Sequence, residues 1–183
     1  MPEDINNKIK QELRDLPNNS IVMLETSADK SLRVTLETLN VLTTKANTLV
    51  LSASRPCTNV LDIYKKAGIN PDKIFILCCV CGVKSLKYPP NIIHAQGVNA
   101  LTEISISLAA ITKKFQGNGF LVIDSISTML IHNDAHELAR FIHGILTRLR
   151  TNNIGGVVIS IEEQTDKAIR AEITQLCDNH IKI

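Results

Sequence analysis

Short apolar runs alternate with amphipathic segments along this chain, and that alternation leaves few folds open. The runs fall at residues 21–24, 48–52, 73–80, 120–124 and 157–161. Between them, residues 32–44, 59–67, 101–115 and 135–150 have helical spacing and are long enough to cross from one parallel strand to the next. Strands that are apolar along most of their length need cover on both faces. The pattern therefore predicts a three-layer α/β/α fold around a mostly parallel central sheet. The clearest helix is 135–150, where Leu138, Phe141, Ile142, Ile145, Leu146 and Leu149 share one side. Asn133 or Asp134 caps its start, and Arg148 and Arg150 sit where cations complement the helix dipole. The tail after Gln164 reads as a helix or loop followed by a short strand at 180–183.

A length of 183 residues suits one well-buried domain, placed here at 18–183. Before it, Ile5, Ile9, Leu13 and Leu16 recur at helical spacing until Pro17-Asn18-Asn19 stops the helix. Residues 1–17 are thus an amphipathic N-terminal helix, expected to pack on the chain's own sheet, with docking to a partner as the alternative. The net charge of +2 is too small for the footprint of a duplex-binding protein, and the six aromatics are scattered, so no nucleic-acid partner is indicated. No apolar run approaches the roughly eighteen residues of a membrane-spanning helix, and the first residues lack the layout of a signal peptide. The expected location is the cytoplasm.

Residues 20–32, SIVMLETSADKSL, run a hydrophobic strand into Lys-Ser and a helix. That is the layout of a phosphate-binding loop, in which glycines let backbone N–H groups wrap the phosphates at a helix N-terminus. Here no glycine is present. Counting back from Lys30 and Ser31 puts Leu24 and Asp29 in the glycine positions. Taking the register from the strand instead puts the first glycine position near Thr26 and leaves the loop about two residues short. Asp29 adds repulsion, since a carboxylate about 4 Å from a phosphate charge costs on the order of 4 kcal/mol at an effective dielectric near 20.

The run Phe120-Leu121-Val122-Ile123-Asp124-Ser125 ends in a carboxylate at the C-terminal end of an expected parallel strand, the edge where ligands bind in open α/β sheets. An aspartate there can hold magnesium with the loop hydroxyl, or simply cap the following helix. The order of these parts resembles the RecA-like superfamily of P-loop ATPases, and specifically its KaiC-like branch. The similarity is strongest in FLVIDSISTML, ELARFIHGILTRLRTNN, GGVVIS and CDNHIKI, with GINPDKIFIL resembling the connection into the third strand.

The resemblance implies a RecA-like fold, a vestigial nucleotide site at Thr26, Asp29, Lys30 and Ser31, and Asp124 as the magnesium position. About where the family commonly carries a pair of glutamates, one of which polarises the attacking water, this chain has Ser54 and Arg55, which cannot act as a general base. The expectation is a non-catalytic module acting in regulation or assembly, with no cofactor. A homo-oligomer or an intact RecA-like paralogue is the implied partner. The alternative is an Mg-ATP-binding protein or weak ATPase with an unconventional loop.

Other clusters carry less. Cys78, Cys79 and Cys81 lie on what looks like a buried strand, with Cys79 and Cys81 on one face and Cys78 on the other, and burial outweighs a metal or redox site. His132, His136, Glu137 and His143 lack the i, i+4 pairing of helical zinc sites. Glu162-Glu163 reads as a solvated pair rather than a replacement acid pair.

Overall fold

The computed structural model describes residues 5–80 and 89–183. The elements follow as α1 (Ile5–Arg14), β1 (Ile21–Thr26), α2 (Ser31–Lys45), β2 (Asn47–Ser52), α3 (Cys57–Lys66), β3 (Ile74–Cys78), β4 (Ile92–His94), α4 (Leu101–Lys113), β5 (Gly119–Asp124), α5 (Ile126–His132), α6 (Ala135–Thr151), β6 (Gly155–Ile161), α7 (Lys167–Thr174) and β7 (Asn179–Lys182). The strands form one seven-stranded sheet in the order β4-β3-β2-β5-β6-β1-β7, and every pairing is parallel. All the carboxyl ends therefore share one edge.

Alternate strand residues enter opposite cores, as the two-residue period of a strand requires. Ile21 and Met23 pack with Leu121 and Ile123 beneath α4, α5, α6 and α7. Val22 and Leu24 pack with Phe120 and Val122 beneath α1, α2 and α3. This is the three-layer arrangement expected from the sequence. No helix of the described residues is long and apolar enough to cross a membrane.

The stripe on α1 is turned inward: Ile9 and Leu13 are fully buried, and Leu16 nearly so. Lys45, at the end of α2, donates from Nζ to the carbonyls of Leu13 and Leu16 at 3.1 Å each, placing a cation at the C-terminal end of α1. The same ammonium lies 5.4 Å from the Phe120 ring centroid. Phe120 needs Gly155 on the neighbouring strand, because a Cβ there would collide with the ring and stand 2.9 Å from the Asn18 carbonyl.

Two elements escape the sequence periodicity. Strand β4 has three residues and α5 has seven, too few for a period to declare itself. On α6, Asp134 rather than Asn133 is the cap, accepting from the N–H groups of His136 and Glu137 at 2.9 and 3.1 Å. Phe141 is only half-buried, while Leu138, Ala139, Ile142, Ile145, Leu146 and Leu149 fill the core.

Candidate functional site

Strand β1 keeps its pairing through Thr26, and α2 begins at Ser31, so the connection is the four residues Ser27-Ala28-Asp29-Lys30. The loop turns its donors on itself. Lys30 N–H donates to the Ser27 carbonyl at 3.2 Å and Ser31 N–H to the Ala28 carbonyl at 3.4 Å, while Ser31 Oγ donates to that same Ala28 carbonyl at 3.1 Å. The Ala28 N–H donates to Glu163 Oε2 at 3.2 Å, so a carboxylate from the turn after β6 already stands at the loop. Ser27 Oγ donates to Asp29 Oδ1 at 2.6 Å; this bond, with the nearby backbone N–H groups and the Lys30 charge, holds the exposed Asp29 carboxyl below its ordinary pKa against the opposing effect of desolvation. Asp29 thus keeps a negative charge at the loop. Thr26 is buried on the α2 side, its Oγ1 without a hydrogen-bond partner among the described residues.

Asp124 ends β5 and is almost entirely buried. It is not the helix cap that the sequence also allowed. Ser125 has that role, its Oγ accepting from Thr128 N–H at 3.4 Å. Burial raises the Asp124 pKa above the usual carboxylate value. The Arg55 guanidinium opposes that rise, with Ser54 and Thr35 as further neighbours that favour the charged form. The cation facing Asp124 is thus part of the chain. Strand β6 lies between β1 and β5, which sets the loop and Asp124 about 10 Å apart by two strand spacings along one sheet edge.

Glu25 escapes a motif-based reading of the sequence. It sits in β1 just before the loop, buried, and accepts from Arg170 at 2.6 Å and pairs with His180 at 2.5 Å and Lys182 at 3.4 Å. Lys182 also reaches Glu162 at 3.3 Å. The network ties β1 to α7 and β7. A single Glu inside the run IVMLET is the signal, since a strand buried on both faces carries a charge only when the charge is paired. Glu162 and Glu163 are exposed, as expected of a solvated pair, and each also makes a contact, Glu162 in this network and Glu163 at the loop.

His132, His136, Glu137 and His143 are exposed and are not brought together. Cys78 and Cys79 are both buried and enter opposite cores, as the sequence reading expected. Cys79 packs under α4, where burial and then Glu103 push its thiol up to about 12. Cys78 faces the opposite core, where Cys57 Sγ, Cys78 Sγ and a His94 ring nitrogen all lie within 4.8 Å of one another. Cys81 lies outside the described residues.

Residues 80–183 match the sequence model of a family described as "Family of unknown function (DUF7504)". No curated protein matches the chain. Among solved structures, the flagellar accessory protein FlaH from Methanocaldococcus jannaschii is similar in fold, with a TM-score of 0.60 at 10% identity over 97% of this chain and 76% of that one. That likeness, with the all-parallel sheet, gives the chain a RecA-like α/β fold.

Proposed function

The chain belongs to DUF7504, a family of unknown function, and from that starting point we propose that it is a non-catalytic RecA-like protein, a regulatory or assembly module that works through protein contacts. The observation that carries this reading is the closure of the loop at 27–30. The N–H groups of Ala28, Lys30 and Ser31 are all bonded within the protein, one of them to the carboxylate of Glu163. A phosphate would have to displace that carboxylate and approach Asp29, and it would meet no glycine backbone. In this reading Asp124 has Arg55 for its counter-cation in place of magnesium, and Thr26, Asp29, Lys30 and Ser31 are the remnant of a nucleotide site.

The partner is a second copy or an intact RecA-like paralogue. Contacts of that kind fall on surfaces other than the α1 stripe, which its own chain covers. FlaH is by name a flagellar accessory protein, and an accessory part in an assembly is what this reading gives the present chain.

One observation favours the alternative of weak ATP binding. Lys30, the residue before α2, gives the helix no side-chain cap, so its first turn keeps a positive end that could face an anion. Hydrolysis separates the two. The proposal expects no magnesium-dependent ATP turnover by the purified chain, alone or concentrated. Turnover that Asp124→Asn abolishes would contradict it, because contaminating activity would survive that substitution.

A further inference from the structure

Across the carboxyl edge of the sheet, the strand register sets Asp124 beside Ser52, Ser52 beside Cys78, and Cys78 beside His94. Laterally paired residues of parallel strands point to one face. Here that is the face covered by α2 and α3, and the first residue of α3 is Cys57. A helix start and two strand ends thus deliver two sulfurs and an imidazole to one point, with Cys57 and Cys78 fully buried and His94 half-buried.

We propose that Cys57, Cys78 and His94 form a zinc site that fastens the start of α3 to the β3–β4 edge of the sheet. Thiolate and imidazole donors select zinc over magnesium or calcium, which take oxygen. Zn–S and Zn–N bonds of about 2.3 and 2.0 Å set tetrahedral ligand separations of roughly 3.5–3.8 Å. Ligand atoms within 4.8 Å of one another need to close by only about 1 Å to reach that geometry. The place also has a use for a metal. Strand β4 has three residues and, among the described residues, pairs with β3 alone, so few hydrogen bonds hold it.

In sequence, Cys81 follows Cys78 at the Cys-x-x-Cys spacing of paired zinc ligands. It lies outside the described residues, and the site rests on the three ligands whose places are known. Cys78 stands in a disulfide in the structure, the oxidised alternative to ligation. Two-electron reduction of that bond by a phosphine or dithiol yields thiols. Cys57 and Cys78 each then lose a proton to solvent as the Zn–S bond forms, and neutral His94 donates a nitrogen lone pair.

The test is metal uptake by the full chain, reduced anaerobically with a phosphine and titrated with Zn(II), read by native mass spectrometry. One zinc per chain is expected. Cys57→Ser and His94→Ala should weaken binding by more than the roughly 10–100-fold that loss of an outer-sphere partner costs, and Cys177→Ser should leave it unchanged. Co(II) in wild-type protein should give a tetrahedral spectrum with sulfur charge-transfer absorption, a readout that holds even if a variant fails to fold. Reduced, folded wild-type protein that takes up no stoichiometric zinc, uptake unaffected by both substitutions, or a cobalt spectrum without sulfur bands would each overturn the site. These outcomes are independent of whether the 27–30 loop binds nucleotide.

Discussion

Burying a carboxylate disfavours its charged form, and Asp124 bears that cost at the end of β5, with the half-buried Arg55 and then Ser54 and Thr35 offsetting only part of it. The folded chain keeps the Asp124 proton at pH values where the unfolded chain has released it. Stability from this group is therefore greatest at low pH and is lost as pH rises from the ordinary value near 3.8 through the raised folded value. Asp124→Asn removes a charge that must be desolvated. The variant should melt higher than wild type at pH 7, and the difference should shrink as pH falls toward about 4. Thermal unfolding of both proteins across that range checks it, and a lower melting temperature for the variant at pH 7 would point to a bound cation that the carboxylate serves. Asp124 was legible in the sequence because a strand that ends in a carboxylate is a local pattern. Its partnership with Arg55 was not, because it depends on the lateral pairing of β2 with β5, residues far apart in the chain. Glu25, by contrast, stood in plain view as a charge inside an apolar run.

At the scale of elements, the helical period of α6 marks its buried side correctly and misplaces one residue. Ile142→Ala should cost about 2–5 kcal/mol, the range for a buried aliphatic side chain, whereas Phe141→Ala should cost less than about 2 kcal/mol because its ring is partly in water. Urea denaturation of the two variants orders them, and the reverse order would mean that this face of α6 is covered differently. Helix α1 makes a second prediction. Removing residues 1–17 uncovers the sites of Ile9, Leu13 and Leu16, each contributing roughly 1.5–3 kcal/mol of burial before ordering costs. The truncated protein should lose several kcal/mol of stability with no change in the number of copies per particle; unaltered stability, or an oligomer that falls apart, would place α1 on a partner instead. Strand β4 escaped the sequence reading because three residues after a Pro-Pro turn carry no alternation. With it went the metal ligands, since only the pairing of β4 with β3 brings His94 beside Cys78.

For the molecule as a whole, fold and chemistry separate. The order of apolar runs was enough to give a parallel three-layer architecture, because burial on two faces constrains every strand at once. Whether the loop between β1 and α2 still receives phosphate depends on a few N–H groups and one incoming carboxylate, and no periodicity reports their directions. That loop holds the central claim, and a melting measurement with millimolar Mg-ATP tests it most directly. A ligand at a hundred times its dissociation constant adds about 2.7 kcal/mol, which for a domain of this size raises the melting temperature by roughly 5–10 °C. The closed loop predicts no shift. A rise of that size, lost in Lys30→Ala, would contradict it and make this chain a nucleotide-binding protein.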